Sequence, residues 1–428
     1  METNHKGTII KVVLGILLLL GALYYARILF SQETTLAIFI LSGLGLGYIV
    51  TRSEVGMATG FMDFFINGNR KRLYGLLMLF GIGACVVAII HFQTALSGAV
   101  PQYVSDGSQQ TIPGTSAVSP INFGLILGTF LFGVGLSLNK GCGLGTLRNI
   151  GYGKMRHMWT LVFILIGTLL GQRLTYQLDY SAIHQYEVQL YLPLELGYIG
   201  TVLLILVVLS VIAFFARRYE KKHGPKDKIN DITFPKLTPT KDNVSQPLLS
   251  SSLLTTLFVR RWSRLVSVIL ITILLTLFLL STGEPFEVTS PLVYPAVWLS
   301  ELIGVNQVHP AFGDVREALS SGLFNHPNTL FNLGIILGAA IYGLTSGRFN
   351  FVWEMKWKES GYFALSGLLM GSGAVLASGC IVGALYSGIV NLSLSGWVVF
   401  ASMSLGMYVT VKIMKGRIST ITKMAEEE

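Results

Sequence analysis

The chain contains the stretch Gly141-Cys142-Gly143-Leu144-Gly145-Thr146-Leu147 and, 238 residues later, a copy of it, Gly379-Cys380-Ile381-Val382-Gly383-Ala384-Leu385. Each copy follows an apolar run that carries a Gly-x-Gly pair, and each precedes a tryptophan, Trp159 or Trp397, at the same distance. The match continues without a gap from Gly133 to Trp159. This length indicates an internal repeat rather than chance, and we call the two stretches the first and second Gly-Cys units.

The composition around these units is that of a membrane protein. Hydrophobic residues make up 52% of the chain, charged residues only 12%, and the mean hydropathy is +0.61. These values lie outside the usual composition of soluble globular domains. A helix needs roughly 20 apolar residues to cross a bilayer, and the apolar runs predict nine or ten spans. Several runs are shorter, which predicts re-entrant or broken helices among them. The predicted fold class is an all-α, polytopic integral membrane protein.

Two segments of opposite charge predict how the chain crosses the bilayer. Residues 217–264 carry eleven Lys and Arg residues against four acids, whereas residues 282–328 carry five acids against Arg316 alone. By the positive-inside rule the first segment is cytoplasmic and the second faces outward. The basic residues Lys412, Lys415 and Arg417 predict a cytoplasmic C-terminus as well. No nucleic-acid-binding motif accompanies the basic segment, so it indicates membrane topology rather than nucleic acid as a partner.

The repeat and the basic segment together predict three parts of the chain. These are an N-terminal membrane half, 1–216, with the first Gly-Cys unit, a basic cytoplasmic linker, 217–264, and a C-terminal membrane half, 265–428, with the second. Counting spans from a cytoplasmic linker, the helices that precede Cys142 and Cys380 run in opposite directions. Two inverted halves that meet at a site near the middle of the bilayer are typical of transporters.

Polar or glycine-rich breaks interrupt the apolar pattern in each half. The segment Thr51–Asp63 is too polar for lipid and too apolar for a free loop, so it predicts a re-entrant element that lines a cavity. Glycines are too dense over Gly141–Gly153 for a continuous helix, which predicts an unwound stretch and a short helix near Gly145–Asn149. The segment Gly334–Arg348 repeats, more weakly, the pattern around Gly43–Arg52.

The Gly-Cys units have the residue types that an anion site for soft atoms requires. Gly141 and Gly379 permit the backbone to unwind, and Gly145 and Gly383 let a ligand or helix approach closely. A helix that starts directly after a cysteine points its positive end at the thiol, which favours an anion there. Lys140 adds positive charge to the first unit only. Thiols are soft and weak S–H donors, so they suit a sulfur- or selenium-bearing anion better than a hard oxyanion.

Other kinds of chemistry find no support in the sequence. The chain has no Walker A loop, no Cys-x-x-Cys and no His-Glu-x-x-His motif, and its seven histidines are scattered. We therefore expect no ATP hydrolysis, no metal and no cofactor. Cys85 lies in an unbroken apolar run and is interpreted as a packing residue. Few acids lie within the predicted spans, and among them Glu195 is the candidate proton carrier, although it lies near the end of its span. Two other functions remain open, a membrane-embedded enzyme that forms a persulfide and passes sulfur to a cytosolic carrier, and a structural scaffold.

The Gly-x-Gly and Gly-Cys-x-x-Gly patterns of both halves, with Arg52, Phe61 and Asp63 upstream, resemble the YeeE/YedE family of bacterial inner-membrane proteins. That family includes thiosulfate transporters and proteins linked to selenium metabolism. The resemblance implies an hourglass of two pseudo-symmetric halves in which Cys142 and Cys380 pass thiosulfate along by transient S–H contacts, without enzymatic chemistry. It also implies a bacterial inner-membrane location, a selenium compound as the alternative substrate, and a TusA-like cytosolic sulfur-carrier protein as a partner.

One position departs from the family pattern. The family has a third cysteine in an Arg-x-x-x-Cys-Phe pattern upstream, and here Gly56 and Met57 occupy that place. Either the Met57 thioether supplies the soft sulfur, or the first step of uptake differs, or the substrate does.

Overall fold

The fold was analysed in a computed structural model. It describes residues 2–53, 56–68, 70–139, 141–179, 187–223, 261–305, 309–353 and 357–414. These residues form helices, short 3-10 turns and isolated bridges, with no β-sheet among them. The all-α class predicted from composition is confirmed.

The helices follow the apolar runs of the sequence, and glycine, serine or proline marks many of their ends. Ser263 caps α9 by accepting a hydrogen bond from the Val266 N–H group, and α12 begins at Pro327, where a missing N–H group costs nothing. In chain order the helices are α1 (Glu2–Gln32), α2 (Thr34–Arg52), α3 (Met57–Asn67), α4 (Lys71–Leu96), α5 (Phe123–Asn139), α6 (Gly143–Gly151), α7 (Arg156–Asp179), α8 (Leu192–His223), α9 (Arg264–Thr282), α10 (Val293–Leu302), α11 (Gly313–Ala318), α12 (Pro327–Thr345), α13 (Trp357–Leu376), α14 (Ile381–Val390) and α15 (Leu394–Ile413).

Nine helical segments of the described chain are long and apolar enough to cross a membrane. The count is ten if α13 and α14, which are bent by 44° at Cys380, form one broken span. The predicted nine or ten spans are therefore confirmed. The outermost spans, α1 and α8, bury only 17% and 22% of their most apolar windows inside the protein. Their remaining apolar side chains face the surrounding lipid, which is the environment that such surfaces need.

The two halves are inverted with respect to each other. On α5, a Cβ atom built on Gly128 would lie 2.8 Å from the Ala377 N atom, and one built on Gly135 would lie 2.8 Å from the Ser366 O atom. Because the contacts on α13 move backward as α5 moves forward, the two helices are antiparallel. The opposite directions predicted for the helices before Cys142 and Cys380 are confirmed. Helices α2 and α9 are also antiparallel, since Phe39 contacts Phe278 whereas Gly45, further along α2, packs on Leu274.

The sequence predicts that Gly334–Arg348 repeats the pattern of Gly43–Arg52. This prediction is wrong, because the two segments are not equivalent elements of the two halves. Gly43 on α2 packs on the backbone of Phe331, and Gly47 packs on that of Ile335, so α2 and α12 lie side by side and run in the same direction. Equivalent helices of inverted halves must run in opposite directions. The glycines that the two helices share are explained by close packing of their backbones.

The molecule has two ends, which we name after the charge of the sequence segments that lie there. We call the end where α4 and α9 begin the basic end; there the Arg264 guanidinium donates to the Lys71 O atom over 2.8 Å. We call the opposite end, where the Gly114 N–H group donates to the Gly283 O atom over 2.7 Å, the acidic end. Helix α8 extends to His223, so residues 217–223 of the predicted linker are helical. Residues 224–260 of the linker lie outside the described residues.

Candidate functional site

The first Gly-Cys unit is a break between α5 and α6. Cys142 has an extended backbone (φ −94°, ψ −176°), is 2% exposed, and caps α6, which begins at Gly143. The Asn139 side chain holds the break by donating to the Gly141 O atom and to the Thr146 hydroxyl, both over 3.2 Å. The short helix predicted near Gly145–Asn149 is confirmed. The described residues that lie between the two helices are Gly141 and Cys142.

The second Gly-Cys unit has the same order of elements with a different helix. Gly379 has φ +154°, Cys380 is extended and 3% exposed, and α14 begins at the next residue. The first seven residues of α14, Ile381–Ser387, are π-helical. The Cys380 sulfur accepts the Val382 N–H group over 3.4 Å. A π-helix is rare in proteins and is frequent at functional sites.

Both units converge on one buried segment, Phe286–Ser290, which connects α9 to α10. A Cβ atom built on Gly143 would overlap the Thr289 hydroxyl, and one built on Gly383 would lie 3.3 Å from the Glu287 Cγ atom. Cys142 directly precedes Gly143 and Cys380 lies three residues before Gly383, so both cysteines lie next to residues that contact this segment. The prediction that each half contributes one cysteine to a common centre therefore agrees with the geometry.

Polar atoms without partners mark this centre. The Thr289 side chain is fully buried, and its hydroxyl has no hydrogen-bond partner in the described protein. Asn332 on α12 donates its amide to the Val288 O atom over 3.0 Å, but its own Oδ1 atom also lacks a partner. Buried polar groups are nearly always satisfied, so such exceptions point to a bound water or a polar ligand.

Open space adjoins the first Gly-Cys unit. Apart from its chain neighbours and the backbone of its own helix, no described atom lies within 4 Å of a Cβ atom built on Gly145. Arg148 on α6 and Glu287 are each partly exposed. Arg148 lies on the side of the basic end and Glu287 on the side of the acidic end. The two cysteines lie between them.

Three cations at the basic end have no acidic partner among the described residues. They are Arg148, Lys154 and Arg348, whose hydrogen bonds go to neutral groups or to none in the described protein. Lys154 lies in the turn between α6 and α7, outside the spanning helices. Burial, helped by the charges of Arg148 and Arg156, lowers the pKa of Lys154 from its ordinary value to about 8. Positive charge in a low-dielectric cleft attracts anions.

The other predicted site residues have varied outcomes. Gly383 makes the close contact expected of it, with Glu287, whereas Gly145 faces open space. Gly141 has an ordinary backbone, so it differs from Gly379. Met57 begins α3, is 3% exposed, and belongs to the same continuous buried core as Cys142 and Cys380. Lys140 lies outside the described residues.

Sequence reasoning missed Glu287 and Thr289. The charge pattern assigned the whole of residues 282–328 to an outer loop, although this part of it folds inward against α6 and α14. A signal was present, since Glu54-Val55-Gly56 follows α2 as Glu287-Val288-Thr289 follows its inverted counterpart α9. No group of three or more His, Cys, Asp or Glu side chains in the described residues could hold a metal ion.

Comparisons with known proteins identify the family of the chain. The sequence profile of a family described as sulphur transport matches residues 52–409. The chain is 25% identical over 380 residues to the thiosulfate transporter TsuA of Escherichia coli, which covers 86% of this chain and 92% of that protein. It is 25% identical over 155 residues to the probable transporter YedE of Escherichia coli, with 36% of this chain and 34% of that protein covered. Thiosulfate transporter TsuA of Spirochaeta thermophila is 34% identical over 82 residues, 19% of this chain and 25% of that protein.

Proposed function

Because the chain belongs to the sulphur transport family, we propose that it carries thiosulfate, or a related sulfur-containing anion, into the cell between its two inverted halves. Family membership makes it a multi-pass membrane transporter rather than an enzyme. The observation that carries the finer proposal is the convergence of both Gly-Cys units on Phe286–Ser290. In this proposal residues 1–216 and 265–428 form the halves, and 217–264 form the linker between them.

The path runs from the acidic end to the basic end. The anion passes the Cys380 and Cys142 thiols in turn, and each makes a transient S–H contact with its soft sulfur. The Thr289 hydroxyl, which lacks a protein partner, donates to an oxygen of the anion. The positive end of α6 lies just beyond Cys142, and Arg148 with its neighbouring cations stabilises the anion before release. No bond to either cysteine forms.

The charge distribution supports the orientation. The basic end carries the linker, so the positive-inside rule assigns it to the cytoplasm of a bacterial inner membrane. An anion that moves toward a negative interior is opposed by the membrane potential, and cations at the exit offset part of that cost. A TusA-like sulfur-carrier protein would receive the released sulfur compound at this end.

Uptake of labelled thiosulfate tests the proposal in cells that lack other carriers of this anion. We expect Cys142→Ala and Cys380→Ala each to reduce uptake by at least about tenfold, the effect of losing about 1.4 kcal/mol of stabilisation. Cys85→Ala is the matched control, since Cys85 lies outside both units and should leave uptake unchanged. Uptake that survives in the variant lacking both Cys142 and Cys380 would overturn the thiol relay. Competition by unlabelled thiosulfate, sulfate, sulfite and selenite then defines the substrate.

A further inference from the structure

Glu287 is an acid beside the path that the relay does not use. It lies in the connection between α9 and α10, outside the spanning helices, and its side chain packs on Gly383, three residues after Cys380. Its Oε2 atom accepts a hydrogen bond from the Ser290 hydroxyl over 2.9 Å. No lysine, arginine or histidine of the described protein forms an ion pair with it. An ionised Glu287 would therefore be an uncompensated negative charge directly beside the second Gly-Cys unit.

The groups around Glu287 do not neutralise it. Glu284, on the same segment, is a second acid, and Tyr294 on α10 is a neutral phenol that interacts with Glu287 electrostatically. On the α14 side the contact is Gly383, and the titratable residues of that unit are Cys380 and Tyr386. Burial raises the pKa of Glu287 to about 7, with the Ser290 hydrogen bond opposing this rise and the charge of Glu284 adding to it.

We propose that Glu287 must hold a proton for the anion to pass the second Gly-Cys unit, which makes uptake proton-dependent. This inference rests on the proposed function. Ionised Glu287 repels the dianion at short range in a medium where charges are poorly screened. Protonated Glu287 removes that repulsion and gains an O–H group that can donate to an oxygen of the anion. The proton reaches it from the acidic end, where the segment joins the outer loops.

The test is thiosulfate uptake by the purified full chain in lipid vesicles, with the same pH on both sides of the membrane. Wild-type uptake should fall as pH rises through about 7, since Glu287 then ionises. The fall should approach about tenfold for each further pH unit. Glu287→Gln keeps the shape of the protonated acid and cannot ionise, so its uptake should lack this fall and exceed the wild-type rate above neutral pH. Glu284→Gln is the matched control, an exposed acid in the same connection between α9 and α10. It should keep the fall and move it only slightly toward lower pH, because the charge of Glu284 adds to the rise in the pKa of Glu287.

Two results would overturn the role of Glu287. One is a Glu287→Gln profile that still falls through neutral pH as in the wild type, and the other is a folded Glu287→Gln protein that transports nothing at any pH. Protonation is also measured without transport, as the carboxyl infrared band that wild type has and Glu287→Gln lacks. We expect that band to disappear near pH 7, and its absence throughout would contradict the proposal. A wild type that shows the band but no thiosulfate uptake would instead refute the proposed function.

Discussion

The first and second Gly-Cys units share a backbone plan and differ in nearly every charge around it. Arg148 in the first unit corresponds to Tyr386 in the second, and Asn139 corresponds to Ala377. The first unit borders cations at the basic end, whereas the second packs on Glu287. Pseudo-symmetry therefore supplies two similar places for a sulfur atom, and divergence of the surroundings makes the two sides of the path unequal.

The backbones of the two units also differ in strain. Gly379 has φ +154°, and a Cβ atom on it would lie 2.6 Å from the Ala384 N atom. Gly141 has an ordinary φ, and a Cβ atom on it would meet only the Asn139 amide, at 3.8 Å. The π-helical turn after Cys380 brings Ala384 and Leu385 N–H groups to the same Cys380 O atom. The second unit is thus the more tightly constrained of the two.

The largest expected effect comes from testing this difference at equivalent positions. Gly379→Ala should lose uptake and lower the free energy of unfolding, because the backbone conformation alone costs an alanine about 1 to 3 kcal/mol. The overlap with Ala384 adds to that cost. Gly141→Ala should stay close to wild type in both respects. Thermal unfolding in detergent and uptake in vesicles measure the two effects, and equal losses in both variants would show that the units are equally constrained.

A smaller effect should separate the charges of the two units. Arg148→Gln removes a cation beside Cys142 and should raise the KM for thiosulfate by about tenfold, the result of losing about 1.4 kcal/mol of anion binding. Arg316→Gln removes the same charge near the acidic end, where Arg316 is exposed and paired with Glu301, and should leave the KM unchanged. Initial uptake rates over a range of concentrations measure both values. A KM that rises equally in both variants would mean that only net charge matters.

The smallest effect should come from Lys154. Its lowered pKa of about 8 means that it is charged at neutral pH and becomes neutral as pH rises through that value. The KM for thiosulfate should therefore rise about threefold between neutral and alkaline pH, as expected for loss of one nearby charge. Lys154→Arg stays charged and should show a smaller rise. Glu287 acts near pH 7 and Lys154 near pH 8, so the Glu287→Gln variant should retain the Lys154 effect.

The sequence predicts the fold well where a pattern repeats or a physical limit applies. Apolar runs of bilayer length predict the spans, and identical spacing of glycine and cysteine predicts the equivalence of α6 and α14. The density of glycine over Gly141–Gly153 predicts a break, because glycine weakens a helix. The charge imbalance of 217–264 predicts the inverted direction of α5 and α13. Each of these signals is local or periodic.

The rest of the site depends on contacts between distant parts of the chain. Gly143 packs against Thr289, and nothing in the sequence around either residue predicts this contact. Glu287 has the sequence surroundings of a solvent-exposed loop, and only the fold brings it inside. The π-helical form of Ile381–Ser387 depends on packing, since its residues have no propensity that distinguishes it from an α-helix. The Glu-Val dipeptide occurs both at Glu54-Val55 and at Glu287-Val288, but a match of two residues is too short to be recognised as a repeat from sequence alone.

The glycine contacts between the halves limit how the molecule can move. Gly128 and Gly135 bring the backbone of α5 against that of α13, and the Ser366 hydroxyl donates to the Gly135 O atom over 2.7 Å across this interface. Gly43 and Gly47 do the same between α2 and α12. Such close backbone contacts oppose large rocking of one helix of each pair on the other. The proposed path would therefore open by small rearrangements of side chains and short helices within a stationary frame.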